Sequence, residues 1–524
     1  MLSDNTTPLQ ETSRSQASDS SISRWILLAA AIWCVCWFVH AWHYWEDDAY
    51  IHLEYARSIA TGHGYSFDGL LVNGDTAPLW VLLLVAVHAV IPNWLIAGKV
   101  LTVLGAVFAL TGTYYFSKHL VQGLDGADTF AAWMVLLLVT NPFFCYWSFS
   151  GMETLTAVGL AFWGTLLAVK KQPTWGSFYM GCFVAGIAPV LRPEMMAFSG
   201  LVGLLFLRQW FRFPGRPLSG RKLFALLFGL VLVVLPVALW SAYALHAFGH
   251  VIPNTNAAKR AGPGDSVVKR LLKVYGLGFP LVLAEIAGLG AIAVIRPALV
   301  RKDSNIRNPL RLLPVAGWIF VIWCVVACAF YIVDHTWVQT RYVFVMTPGL
   351  MFAALAFNYR RLPRLIYSLS LTGALVAAVS VSSTITWLLI HNKVIGGSRV
   401  QIMAEYVRDH VPPDAPVAIY AIGEMAFDSQ HPIVDIGGIT RPGAIPYLFD
   451  SNDNGMVRWA QAQGARYFLS LPQPEPGATL VFSVNAPYVG WSLDFHKYSQ
   501  TGSLRLWKLP GKATQAPPLG SSRN

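Results

Sequence analysis

The chain has 524 residues, 55% of them hydrophobic and only 12% charged, where a soluble domain carries roughly a quarter charged residues. Its apolar residues come in continuous runs of about 17 to 25, the length a helix needs to cross hydrocarbon, which excludes an ordinary soluble fold. The net charge of +11 does not signal nucleic acid, because many of the cations lie in short loops between apolar runs, where they set topology. Cys34, Cys36, Cys145, Cys182, Cys324 and Cys328 all fall in or beside apolar runs. They lack zinc-type spacing and read as small buried hydrophobes.

Residues 1–24 are rich in Ser, Thr, Gln and Asp and read as a disordered cytoplasmic tail. The first apolar run, from Trp25 to about Trp45, is too long for a signal-peptide core and reads as a retained span. It opens a transmembrane domain over 25–390, whose first outer loop covers 46–75. Further apolar runs lie near 76–91, 96–117, 127–146, 151–169, 176–191, 194–208, 223–245, 274–296, 312–333, 341–358 and 363–390. Lys170/Lys171, Arg208 to Lys222, Arg296 to Arg311 and Arg360/Arg361/Arg364 fall at every second loop, so all can be cytoplasmic. Ser150–Glu153, Arg192–Glu194, His246–Lys273, Asp334–Arg341 and everything after 391 then face outward. Parity makes the run at 76–91, bounded by Pro78 and Pro92, re-entrant or interfacial. About eleven true spans remain, with the N-terminus inside and the C-terminus outside.

Residues 391–510 have a different texture and predict a small extracytoplasmic α/β domain. Val400–His410 and Met456–Gln463 read as helices, and Pro416–Ala421, Ile433–Ile436, Arg466–Leu471 and segments near Val481 and Ser503–Leu509 as strands. Residues 511–524 read as a frayed tail.

The first outer loop begins Glu46-Asp47-Asp48, three consecutive carboxylates at a membrane boundary. Their mutual repulsion requires a raised pKa or a cationic partner for at least one of them. A helix follows to about Ala60, and Ile51, Tyr55 and Ile59 recur every four residues, predicting that it lies on the membrane surface. His52 stands one turn from Asp48. Asp75, in a turn feeding an apolar helix, reads as a helix-start residue or a functional carboxylate. Glu153, Arg192, Glu194, Lys259, His335 and Arg341 complete the outward-facing charged set. Charges at membrane depth are costly and are usually paired or functional. Together they suit a polar, anionic group at the outer surface. Gly423-Glu424 and Gly437-Gly438 read as ordinary turn glycines without the pattern of a phosphate cradle.

Asp47-Asp48-Ala49-Tyr50, the helix ending Gly62-His63-Gly64, and Pro78-Leu79-Trp80 together resemble the first outer loop of GT-C fold glycosyltransferases. The likeness is closest to the branch containing the mycobacterial terminal arabinofuranosyltransferases. Ser150-Gly151-Met152-Glu153-Thr154, Arg192-Pro193-Glu194, Pro253-Asn254-Thr255 with Lys259, and Thr340-Arg341-Tyr342 recur there in the same order. Asn73-Gly74-Asp75-Thr76 departs from the Glu-Gly/Ala-Thr-Ser type of that branch, so the sugar and acceptor stay open.

The resemblance implies a multi-pass enzyme of the bacterial inner membrane. Its donor would be a polyprenyl-phosphate sugar in the lipid bilayer, its acceptor an envelope glycan or another periplasmic molecule. Asp47 or Asp48 would be the general base of an inverting displacement. Lys259, Arg192 and Arg341 would hold the donor phosphate, and His52, Asp75, Glu153, Glu194 and His335 would bind substrate. No cofactor is required, although Asp47, Asp48 and Glu153 could hold a divalent metal. Two rival readings are a lipid-linked sugar transporter or flippase, which needs charges at mid-membrane depth, and a non-catalytic envelope assembly protein that works through 391–510.

Overall fold

A computed structural model describes residues 8–213, 219–260, 313–336, 338–361, 399–448, 454–470, 474–484 and 503–511. Helix α1 (Pro8–His40) carries the first span. It is helical from Pro8 onward, although the polar stretch up to residue 24 predicts disorder, because extending a helix costs far less than starting one. Helices α2 (Asp47–Ala60), α3 (Pro78–His88), α4 (Trp94–Leu120), α5 (Ala127–Val139), α6 (Pro142–Trp147), α7 (Thr154–Ala168) and α8 (Trp175–Leu191) follow. Then come α9 (Met195–Arg212), α10 (Gly220–Phe248), α11 (Asn254–Arg260), α12 (Val315–Asp334), α13 (Thr340–Phe344) and α14 (Thr347–Arg361).

Among the described residues, four helices are long and apolar enough to cross a membrane: α1 over Ser21–His40, α4, α10 and α12. Prolines divide other expected runs. The run at 127–146 breaks at Asn141-Pro142, where the Asn141 side chain accepts from the Phe143 N–H (2.9 Å) and starts α6. The run at 341–358 divides into α13 and α14. Helix α3 has 11 residues, a rise of about 16 Å against a hydrocarbon thickness of roughly 30 Å. The runs at 274–296 and 363–390, and the tail from 512, lie outside the described residues.

Beyond the bundle, helices α15 (Arg399–His410), α16 (Ile422–Ser429) and α17 (Asn454–Ala462) flank a five-stranded sheet. A short antiparallel pair, β1 (Ser66–Phe67) and β2 (Leu70–Leu71), belongs to the first outer loop. In the sheet β3 (Val417–Ile419) runs parallel to the edge strand β4 (Ile433–Asp435) on one side and to the central strand β5 (Tyr467–Ser470) on the other. β7 (Leu504–Lys508) runs antiparallel to β5 and to β6 (Thr479–Val484).

The apolar stripe of α2, which predicts a helix on the membrane surface, meets protein here. The helix is packed between α3 of the bundle and α16 of the sheet unit, with Ile51 and Tyr55 buried. An apolar stripe dictates burial; it does not dictate whether lipid or protein does the burying. Arg57 near the helix end donates to the Phe427 carbonyl (3.2 Å) and lies over the Phe427 ring.

The end of α1 is fixed by a buried cation that sequence reasoning missed. Lys99, in the second turn of α4, is 2% exposed and donates to the carbonyls of Tyr44 (2.6 Å) and Phe149 (2.5 Å), with Ala41 at 3.5 Å. It thereby bonds carbonyls at the points where α1 and the 148–151 turn end. Replacing Lys99 by Met removes these buried hydrogen bonds to the Tyr44 and Phe149 carbonyls. The expected loss is roughly 1–3 kcal/mol of stability, read by denaturant unfolding in detergent micelles. A Lys99→Met protein as stable as the wild type would exclude this role.

Candidate active site

Five chain segments meet where α2 begins. The Glu46 N–H donates to the Ser150 carbonyl (3.0 Å), Trp80 Nε1 to the Gly151 carbonyl (3.1 Å) and Trp147 Nε1 to Thr340 Oγ1 (3.1 Å). Gly151 has a positive φ of 89°, and a Cβ there would lie 2.5 Å from the Trp45 ring and 2.7 Å from Ala49. Glycine is therefore required for the 148–153 turn to reach the loop. From the other side, the Asn254 N–H donates to the Asn73 carbonyl (2.8 Å), and Thr255 bonds the Gly74 carbonyl. These bonds clasp the segment bearing Lys259 onto the 73–75 turn.

A buried chain of alternating charges runs through this junction. His52 Nδ1 lies 3.0 Å from Asp75, and its Nε2 lies 3.4 Å from Glu153. Glu153 pairs with Arg192 (2.7 Å), and Arg192 also pairs with Glu194 (3.2 Å). Asp75 accepts from the Ala77 N–H (3.0 Å) and the Tyr65 hydroxyl (2.9 Å), so it both shapes the turn that leads into α3 and holds the imidazole. Burial disfavours the charge on His52, but Asp75 and Glu153 prevail and push its pKa up to about 10. Burial likewise opposes Glu153, yet Arg192 and His52 bring it down to about 2.

A second cluster adjoins the first. Arg341 pairs with Asp48 and approaches Met152 Sδ at 3.6 Å. The ring of Tyr342 collects three cations: Arg192 and Arg341 at 5.4 Å each and Lys259 at 4.8 Å from its centroid, with Lys259 also bonding its hydroxyl. Among the described residues no carboxylate is paired with Lys259. Burial raises Asp48, but Arg341 and Lys259 hold it below its ordinary value. The Asp48 side chain stays 31% exposed, whereas those of Arg341, Glu153, His52 and Arg192 are 3–5% exposed. Asp48 and the half-buried Lys259 are the members of this cluster that solvent can reach.

Asp47 turns elsewhere. Its carboxylate accepts from the N–H groups of Glu424 (3.0 Å) and Gly423 (3.3 Å) at the start of α16. Burial pushes its pKa up to about 7 against those hydrogen bonds, with Asp48 adding to the rise. Gly423 is thus part of a helix against Asp47 and not the turn glycine its sequence suggests.

The fold itself has parallels among solved structures. ArnT from Cupriavidus metallidurans bound to undecaprenyl phosphate aligns over 95% of this chain and 99% of its own, at 15% identity and a TM-score of 0.57. The same protein in the apo state aligns over 93% and 98%, at 14% identity and a TM-score of 0.57. The arabinofuranosyltransferase AftD from mycobacteria aligns over 93% of this chain and 40% of its own longer one, at 12% identity and a TM-score of 0.51. This chain has the GT-C fold.

A family model described as a domain of unknown function, DUF8728, matches residues 392–513, the part of this GT-C chain that carries the sheet unit. No curated protein matches the chain by sequence. On the GT-C scaffold, Asp48, Lys259, Arg192 and Arg341 converge, and His52, Asp75, Glu153 and Glu194 form the buried chain beside them. His335 stands apart, exposed in a left-handed conformation at the end of α12. Asp47, Asp48 and Glu153 meet different partners: the α16 N–H groups, Arg341, and His52 with Arg192. Among the described residues no group of three His, Cys, Asp or Glu side chains is arranged for a metal ion. Tyr342 as the shared platform, and Gly423 and Glu424 as partners of Asp47, carried no signal in sequence.

The buried imidazolium gives a pH prediction. His52 is raised from 6.5 to about 10 in the folded state, so its stabilisation is complete below 6.5 and is lost as pH rises toward 10. The wild type should lose thermal stability across that window in detergent, and His52→Gln should be less stable at neutral pH with a flatter dependence. A His52→Gln protein with the wild-type slope would show that other groups carry it.

Proposed function

We propose that this chain is an integral membrane glycosyltransferase that moves a sugar from a polyprenyl-phosphate donor to an envelope glycan or other periplasmic acceptor. The observation that carries the reading is the convergence of Arg341, Lys259 and Arg192 on Tyr342 beside the accessible Asp48. Three cations around one point suit a phosphate that gains charge as its bond to the sugar breaks. The undecaprenyl phosphate bound to the ArnT neighbour supports a donor of that lipid class. The alternation of Lys/Arg clusters along the chain supports an inner-membrane placement, with the N-terminus cytoplasmic and the site and C-terminal unit periplasmic.

In this reading Asp48 is the general base. The acceptor hydroxyl attacks the anomeric carbon, and its proton passes to the Asp48 carboxylate. The carbon–oxygen bond to phosphate breaks on the opposite face, and the phosphate leaves with the electron pair, so the anomeric centre inverts. Arg341 shifts its pairing toward the phosphate as the donor seats, which releases Asp48 and raises its basicity. Glu153, Glu194, Asp75 and His52 orient the arginines from beneath.

Asp48→Asn cannot take the proton, and kcat should fall about 10²- to 10⁴-fold with a polyprenyl-phosphoryl arabinose donor and an envelope-glycan acceptor. Full turnover by Asp48→Asn would sink the assignment. Lys259→Ala should weaken binding of undecaprenyl phosphate about tenfold, measured by ligand-induced thermal stabilisation. Unchanged binding would remove Lys259 from the phosphate site.

A further inference from the structure

Asp47 and Asp48 are adjacent in sequence and diverge in space. Successive side chains on a helix point about 100° apart, so at the start of α2 only one of the pair can face Arg341. Asp48 does so, and Asp47 reaches the N–H groups of Gly423 and Glu424 instead. Those groups belong to the first turn of α16, where helix N–H groups lack partners within the helix. Ala421, at the N-cap of α16, supplies no side-chain acceptor. Asp47 therefore caps a helix 376 residues away in sequence, as a local Ser or Asp would ordinarily do.

The fit is close. A Cβ on Gly423 would collide with the Asp47 carbonyl oxygen and lie 3.1 Å from Ile51 Cγ1. Two other first-loop side chains also bond backbone of the sheet unit: Arg57 donates to the Phe427 carbonyl (3.2 Å), and Asp68 accepts from the Ile433 N–H (2.6 Å). The sheet unit touches the Lys259 segment as well, through packing of Pro442–Tyr447 on α11.

We propose that Asp47 is a positioning residue: by capping α16 it ties the C-terminal sheet unit to the first turn of α2 and holds Asp48 in register with Arg341 and Lys259. The inference rests on Asp48 as the base. Untied, the first turn of α2 frays and Asp48 drifts from the attacking hydroxyl. A displacement of about 1 Å costs on the order of 100-fold in rate. The donor phosphate still finds Arg192, which Glu153 and Glu194 hold from the bundle. The loss therefore falls on kcat and leaves donor KM in place.

The test compares Asp47→Asn, Asp47→Ala and Gly423→Ala in the full chain in detergent micelles. Two readouts are taken: steady-state transfer from polyprenyl-phosphoryl arabinose to an envelope glycan, and backbone hydrogen exchange over 47–52 and 422–429. Asn keeps one acceptor oxygen for the α16 N–H groups, whereas Ala keeps none. The expected order of kcat is Asp, then Asn, then Ala, with Ala down about 100-fold and donor KM unchanged. Exchange should quicken in both segments in Asp47→Ala and Gly423→Ala, the latter parting the same contact from the other side. A base cannot be replaced by Asn, so Asp47→Asn as inactive as Asp47→Ala, with exchange unchanged, overturns the proposal and makes Asp47 the base. Unchanged exchange in both Asp47→Ala and Gly423→Ala overturns it too. Full activity of Asp48→Asn removes the catalytic reading of Asp48, and the exchange data still decide whether Asp47 holds the unit.

Discussion

Arg192 and Arg341 are nearly sealed from water, with 2% and 4% of their surfaces exposed, and the site is organised by what they require. A buried guanidinium without an anion costs several kcal/mol, and carboxylates and aromatic faces meet both of these. Glu153 and Glu194 serve Arg192, Asp48 serves Arg341, and Tyr342 offers its ring to both. Those partners come from α2, the 148–153 turn, the α8–α9 junction and α13. Satisfying the arginines therefore brings four stretches of chain to one place. The same need explains His52, whose proton lets Asp75 and Glu153 lie close together without repulsion.

Such a network is stable at rest and poised toward an anion. Glu153 and Glu194 are nearly out of solvent and keep Arg192 oriented. Asp48 keeps a third of its side-chain surface open, so its pairing with Arg341 is the one a ligand can reach. Under the proposed function, an arriving phosphate competes with Asp48 for Arg341, and the two events of catalysis become linked: seating the leaving group readies the base. Lys259 reaches the cluster from a segment clasped onto the 73–75 turn, so its position depends on the first outer loop as well.

Sequence alone determined the features that follow from local chemistry. Apolar runs of spanning length gave the membrane bundle, and the texture after residue 391 gave α15, α17 and strands β3 to β7, while α16 went unread. The charged residues worth attention were also legible, because charge near hydrocarbon is costly enough to need a reason. Pro142 and Pro348 break runs that read as single spans, because hydrophobicity hid them there.

Pairing is what only the tertiary structure decided. Nothing local distinguishes Asp47 from Asp48, and their separation follows from helix geometry together with an α16 that arrives 376 residues later. The stripe Ile51, Tyr55, Ile59 fixed that α2 would be buried, and the sheet unit, rather than lipid, does much of the burying. Lys99 was invisible for the same reason, since the carbonyls it bonds lie just past helix ends brought to it by folding. Hydrophobic and charge patterns are written along the chain. The partner of a buried polar group is a property of three dimensions.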